Sequence, residues 1–343
     1  MPINLENPER YTVGWISVLK IERTAATALL DERHDEPTEF EQHFKDDNSY
    51  TWGRMGKHNV VIASFEAGDS GTSSAALVAE RMRNSLPHIK AGLLVGVGGG
   101  IPSARRDIRL GDVAVSLRKG QSGGVVQYDF VKANPGQKHE SKGFLGKPPG
   151  VLLKALSALQ TEHDLRPSKI SRFLDEMVSR YPSLAKPTDE SAAFTFPGSD
   201  ADRLFTDDYV HRGGDDCQMC DEGQLVPARR PRTANHPNIH YGVIASGNTV
   251  IKDAISRKKL IEHLSEDCIC YEMEAAGLMN NFPCLVIRGI GNYADSHKND
   301  EWHPYAAATA AAFAKELLGF VPRHAPERFE RFEEGYCSSC QSH

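Results

Sequence analysis

Two segments near the C-terminal end carry the side chains best suited to chemistry. They are Cys270-Tyr271-Glu272-Met273-Glu274-Ala275-Ala276-Gly277 and, one short strand later, Arg288-Gly289-Ile290-Gly291-Asn292-Tyr293-Ala294-Asp295. Glu274, placed at the end of a strand, can accept hydrogen bonds from two vicinal hydroxyls together. Glu272 shares its face in a regular strand, and Met273 faces the other way. Read alone, Glu274 serves equally well as an acid favoured by the dipole of a helix beginning at Ala275. Glu22, in Val18-Leu19-Lys20-Ile21-Glu22, follows the first strand. There it lies at the carboxyl edge of a sheet, where α/β proteins bind ligands, and it can take a proton from attacking water. The plainer reading is an exposed glutamate in a helix's first turn. Val95-Gly96-Val97-Gly98-Gly99-Gly100-Ile101 ends another strand with backbone N–H groups that a ligand can approach closely, or is simply a tight turn. Its spacing is not a dinucleotide fingerprint, and it lacks the Lys-Ser/Thr of a triphosphate loop.

These groups together fit one reaction. Cleaving the bond between a purine and ribose builds positive charge on the sugar and negative charge on the base. A catalyst needs an acceptor near the ribose, a donor near the leaving base and a nucleophile at the anomeric carbon.

The elements that must position them alternate in type. Tyr11–Val18, Asn59–Phe65, Ala91–Val97, Val113–Ser116, Gly124–Phe130, Ile239–Ser246, Cys270–Glu274 and Cys284–Ile290 read as strands. Glu22–Glu32, Thr72–Asn84, Val151–Glu162, Ile170–Tyr181, Lys252–Leu264, Ala275–Asn281 and Tyr305–Leu318 read as helices. Strands apolar along their whole length predict an α/β sheet covered on both faces. Residues 1–322 are expected to form one domain with an irregular insertion at about 183–237, rich in Asp, Arg, Pro and Gly, and residues 323–343 a charged, mobile tail.

With 343 residues and a formal charge of -6, the chain can build a sizeable core and offers no bulk positive field for nucleic acid or an anionic membrane. It has no secretory leader, no apolar run of membrane-spanning length, no Asn-X-Ser/Thr site and an odd set of seven cysteines, which together predict a cytosolic protein. Cys217-Gln218-Met219-Cys220 and Cys337-Ser338-Ser339-Cys340 each have the spacing of half a zinc site, and two such pairs could make one site of four thiolates. Free thiols or an adventitious disulfide are the preferred reading, with no catalytic metal and no organic cofactor. Tyr128, Asp129, Phe130, His240 and Tyr241 are weaker candidates for aromatic or polar pocket walls.

The blocks YTVGWISVLKIE, VGVGGGIPS, IRLGDVAVS, GGVVQYDF, HYGVIASGN, EMEAAGLMNNFPCLVIRG and NYADSHKND together resemble the purine nucleoside phosphorylase/uridine phosphorylase superfamily. Within it the chain is most similar to nucleosidase-type domains of fungal proteins related to methylthioadenosine/S-adenosylhomocysteine nucleosidase. The resemblance spans about Tyr11 to Pro322. It implies a three-layer α/β/α sandwich around a mixed, partly barrel-like central sheet, and a homo-oligomer, most simply a dimer. It assigns water activation to Glu22, the ribose contacts to Met273 and Glu274, and base contacts to Val250, Ile251 and Asn292; Val97, Gly98, Glu272 and Tyr128 are further substrate-contact candidates from their own positions, not from the resemblance. Asn292 stands where the adenine-specific nucleosidases have a catalytic aspartate. An amide has no titratable proton to give purine N7, but its NH2 can donate to O6 and its carbonyl can accept from a protonated N7. Inosine and guanosine are therefore the expected substrates, with adenosine poorer. Val97 replaces a phosphate-side serine and Glu22 would repel phosphate, so hydrolysis is expected over phosphorolysis, with Arg23 and Arg54 as possible phosphate ligands. Asp295 takes a structural role. A nucleoside-sensing module is the remaining alternative, disfavoured because both glutamates are retained and the chain ends soon after the domain.

Overall fold

The computed structural model describes residues 5–323, apart from 104, 121, 133–139, 142–144, 190, 215, 228, 230, 231, 233–235, 265–267, 298 and 299. The strands are β1 (Tyr11–Ser17), β2 (Glu32–His34), β3 (Tyr50–Met55), β4 (His58–Ser64), β5 (Ala91–Gly100), β6 (Val113–Ser116), β7 (Val125–Gln127), β8 (Val131–Lys132), β9 (Glu140–Ser141), β10 (Ile239–Ser246), β11 (Cys268–Glu272) and β12 (Cys284–Asn292). The helices are α1 (Lys20–Ala28), α2 (Thr72–Ser85), α3 (Gly150–Leu165), α4 (Ile170–Arg180), α5 (Ala254–His263), α6 (Ala275–Leu278) and α7 (His303–Leu318).

Ten strands form one mixed sheet in the order β11-β10-β6-β12-β5-β1-β4-β3-β2, with β7 beside β10. A further pairing of β11 with β5 closes β5, β12, β6, β10 and β11 into a five-stranded barrel. Alternate side chains of the central strands feed two cores. Val13, Trp15, Leu93 and Val95 pack with α1, α3, α4 and α7, while Ile16, Val61, Ala63 and Leu94 pack with α2 and α6. Helices on both faces explain why the middles of β1, β4 and β5 are apolar on both sides, Val13–Ile16, Val60–Ala63 and Ala91–Val97.

β5 organises the site. It runs parallel to β1 up to Leu94, opposite Ile16, and antiparallel to β11 from Gly99, opposite Tyr271. Between those points one edge of β5 has been left by β1 and not yet taken up by β11, while β12 stays paired on the other edge. Closure requires glycine at 98, because a Cβ there would meet Cys270 Sγ at 2.5 Å and the Tyr271 carbonyl oxygen at 2.9 Å.

Several expected bounds change. The glycine run does not end β5 but carries it three residues further, since its backbone is paired on both edges. β11 begins at Cys268 and ends at Glu272, so Met273 and Glu274 lie beyond it, and α6 is one turn rather than a helix to Asn281. Gly124–Phe130 contains only the short β7, and α1 stops at Ala28, leaving Glu32 to open β2. β2 and β3 form an outer antiparallel extension of β4 that the polar stretch before Tyr50 concealed. Residues 324–343, with Cys337, Cys340 and most of the expected tail, lie outside the described residues. No helix among the described residues is long and apolar enough to cross a membrane.

Candidate active site

A cavity of about 200 Å³ opens at the free stretch of the β5 edge. Glu22, Val97, Gly98, Tyr128, Val250, Ile251, Glu272, Met273, Glu274 and Asn292 all line it. The two strands that lead to the acids and to Asn292, β11 and β12, are each paired with β5 and not with one another. β11 and β12 flank β5 from opposite sides and run in opposite directions.

Glu22 is the third residue of α1 and is 3% exposed. Its Oε2 accepts from the backbone N–H groups of Val18 at 2.7 Å and Leu19 at 3.0 Å, and its Oε1 accepts from Val97 N–H at 2.7 Å across the β5 gap. It therefore caps its own helix and also faces the cavity. Residue 96 must be glycine, as a Cβ would come within 2.3 Å of the Glu22 carboxylate and 2.7 Å of an Arg288 nitrogen. Burial raises the Glu22 carboxyl above its ordinary value, against the lowering pull of Arg288 and the three N–H donors.

Arg288 was not among the residues the sequence singled out. Its guanidinium is 1% exposed and donates to Glu272 at 2.5 Å and Glu274 at 2.9 Å. Burial disfavours its charge, but Glu272, Glu274 and Glu22 outweigh that and hold its pKa above the usual arginine value. The signal was available: an arginine inside Leu285-Val286-Ile287-Arg288 is a charge in a buried strand, and such charges must be paired.

The two roles expected of Glu274, helix-terminal acid and ligand-facing acceptor, are divided between Glu272 and Glu274. Glu274 is the N-cap residue of α6, yet the side chain that caps the helix is Glu272, which accepts from the N–H groups of Glu274 and Ala275 at about 3.0 Å. The Glu274 carboxylate turns to Arg288, to Met273 N–H and, at 3.3 Å, to Gly71 N–H on the loop before α2. Burial pushes the Glu274 carboxyl up to about 7; Arg288 pulls it down, while Glu272 and Glu22 add to the rise. Three carboxylates face one guanidinium, so the pull of Arg288 is shared and does not offset the burial of Glu22 and Glu274.

Asn292 is the last residue of β12, beside Gly99. Its Oδ1 accepts from Ala294 N–H at 3.0 Å, a turn that holds Ala294 at φ 50°, and its Nδ2 lies 3.3 Å from Nε2 of His303. His303 Nδ1 in turn faces Asp300 at 3.3 Å. A proton on Nδ1 makes Nε2 the acceptor for one Asn292 N–H, leaving the second available to the cavity, which His303 also lines.

Tyr128 forms a wall and braces the loop after β10, donating to the carbonyl of Thr249 at 2.6 Å, with Gly247 at 3.1 Å. Asp129 supports the same loop by accepting from Asn248 N–H, whereas Phe130 is exposed and neither lines the cavity. Val250 is half-exposed at its mouth, and Ile251 is buried. His240 is bonded to Asp112 and Tyr241 packs on Phe313, both away from the cavity. Arg54 is tied to Glu32 on the outer strands, but Arg23 reaches the hydroxyls of Thr51, Ser64 and Ser49. With Lys20 and Arg33 it lines a second cavity of about 690 Å³ that shares Val18 and Leu19 with the first.

Comparison with solved structures bears directly on this frame. The chain superimposes on methylthioadenosine/S-adenosylhomocysteine nucleosidase of Neisseria meningitidis with a TM-score of 0.54 and 16% identity, covering 90% of this chain and 98% of that one. Futalosine hydrolase of Helicobacter pylori gives 0.53 and 16%, with 91% and 99% covered. The chain has the nucleoside phosphorylase/nucleosidase fold. No family model matches it. Among curated proteins it is 44% identical over 328 residues, 95% of its length, to a nucleotide-binding leucine-rich repeat-like protein of Hyaloscypha variabilis, and it spans 31% of that protein. Over 112 residues, 29% of this chain and 22% of the other, it is 26% identical to an ATP nucleosidase of Escherichia coli.

Proposed function

We propose that the chain is a purine N-glycosidase that uses water as its nucleophile. The observation that carries this reading is the meeting of Glu22 and Glu274 around Arg288 on one small cavity that Asn292 also lines. In this scheme Glu274, ionised, accepts the 2′- and 3′-hydroxyls beside Met273. Glu22, held on the cavity by three backbone N–H groups, takes a proton from water at the anomeric carbon. Val250 and Ile251 flank the base. The Asn292 amide stabilises it by hydrogen bonding without supplying a proton, which favours inosine and guanosine over adenosine.

A second reading, cleavage of adenine nucleotides, is supported by the likeness to the ATP nucleosidase together with the Lys20, Arg23 and Arg33 cavity, which suits a phosphate chain. The same cations could instead hold inorganic phosphate for phosphorolysis. One product profile separates all of these. Purified protein is incubated with inosine, guanosine, adenosine and ATP, with and without phosphate, and free base, ribose, ribose 1-phosphate and ribose 5-triphosphate are quantified. Base and ribose from inosine without phosphate is the expected result. Base and ribose triphosphate from ATP alone would establish the second reading, and ribose 1-phosphate would establish phosphorolysis. Tight binding of every compound with no turnover would overturn the enzyme reading.

A further inference from the structure

Beyond this cavity, four side chains that can bind a soft cation converge from two distant parts of the chain. Cys217 and Cys220 lie in the segment between α4 and β10 and are buried as free thiols. His211 stands six residues before Cys217, and its Nδ1 is 3.3 Å from Cys220 Sγ and 3.9 Å from Cys217 Sγ. His297 arrives from the loop after β12. One ligand atom each from His211, Cys220 and His297 lie within 4.8 Å of one another, and Cys217 Sγ is 3.9 Å from the His297 carbonyl oxygen.

We propose that Cys217, Cys220, His211 and His297 form a structural zinc site. Tetrahedral zinc with Zn–S near 2.3 Å and Zn–N near 2.0 Å sets its ligand atoms roughly 3.3–3.8 Å apart, close to the spacings already present around His211.

Three independent features point to a cation. First, the His297 side chain is 3% exposed, yet neither ring nitrogen has a hydrogen-bond partner. A buried imidazole left in that state forfeits at least one donor or acceptor, and metal ligation repairs it. Second, His211 has a group placed to orient it, and His297 has a carboxylate nearby. His211 Nε2 sits 3.1 Å from the Gly214 carbonyl, which fixes its proton there and leaves the Nδ1 lone pair facing the thiols. Asp295 Oδ1 lies 3.9 Å from His297 Nδ1, beyond hydrogen-bond reach but close enough for its charge to favour a cation at that ring. Third, the cluster has an apolar shell, with the His297 ring stacked on Phe205 at 4.1 Å and on Tyr209 at 5.4 Å.

The ion would fasten the segment between α4 and β10 to the loop that continues from Asn292. Ser296 already accepts a bond from His211 N–H there, so the metal completes an existing junction.

The test is metal analysis of the purified full chain by mass spectrometry, alongside Cys217→Ser/Cys220→Ser and Cys337→Ser/Cys340→Ser double variants. We expect about one zinc per chain in the wild type and in the Cys337/Cys340 variant, and less than about a tenth of that in the Cys217/Cys220 variant. Zinc-free wild type that takes up none on dialysis, undiminished zinc in the Cys217/Cys220 variant, or its loss from the Cys337/Cys340 variant would each overturn the assignment. Should the Cys217/Cys220 variant fail to fold, cobalt-substituted wild type decides the matter. A tetrahedral spectrum with two thiolate and two imidazole ligands supports the site, and a spectrum of four thiolates or of octahedral cobalt overturns it.

Discussion

Replacing Glu274 by glutamine should make the protein more stable and less active at the same time. The stability half follows from the proton. The folded state lifts this carboxyl from an ordinary 4.5 to about 7, a difference equivalent to about 3 kcal/mol. Below about pH 4 folded and unfolded chains both hold the proton, and the site costs nothing. As pH rises through 7 the buried group must give it up, and the fold loses that preference. Glutamine has no such proton, so Glu274→Gln should exceed the wild type by about 2–3 kcal/mol at pH 8, a gain of a few degrees in Tm that vanishes near pH 4. The activity half follows from the two hydroxyl bonds. Exchanging a charged acceptor for a neutral one weakens each by about 1–1.5 kcal/mol, so kcat/KM should fall roughly 30- to 150-fold. Thermal melts at pH 8 and pH 4, with base release at pH 8, measure both. A variant that melts below the wild type at pH 8, or keeps kcat/KM within threefold, would refute the reasoning.

The same proton predicts that KM for the nucleoside rises as pH falls through about 7, about tenfold between pH 8 and pH 6, because the diol requires the ionised form; a flat KM profile over that range contradicts it. Arg288→Met should cost about 3–5 kcal/mol in urea unfolding by stranding Glu272 and Glu274, whereas Arg54→Ala, which breaks a partly exposed pair, should cost less than about 1 kcal/mol. Equal losses would show that the buried cluster is not the stabilising unit inferred here. Asn292→Asp introduces an acid at the base, so the ratio of adenosine to inosine turnover should rise at least about tenfold, and an unchanged ratio removes Asn292 from base selection.

The parallel frame was legible because β1, β4 and β5 are buried on both faces and so are written as unbroken apolar runs. The glycines at 98–100 misled, since their local signature is that of a turn, and only pairing with β11 and β12 shows them to be strand. Glu22 and Glu274 could be picked out, but each also fits an ordinary helix-terminal acid, and the structure gives Glu22 both positions at once. Arg288 belongs to no acidic motif, and its one mark in the sequence is a charge set inside an apolar strand. No local pattern could join His297 to Cys217, which stand 80 residues apart and meet only through the path the chain takes from α4 to β10 and beyond β12.

The stretch of β5 between Leu94 and Gly99 makes the binding hollow a by-product of how the sheet curls. One strand departs before the next arrives, and main-chain atoms border the vacancy, with Val97 N–H turned toward Glu22 instead of a neighbouring strand. Part of the hollow's border is therefore backbone, while Val97, Met273, Val250 and Ile251 upholster it. Exchanging those four can alter which molecule fits without disturbing the closure that holds the acids in place.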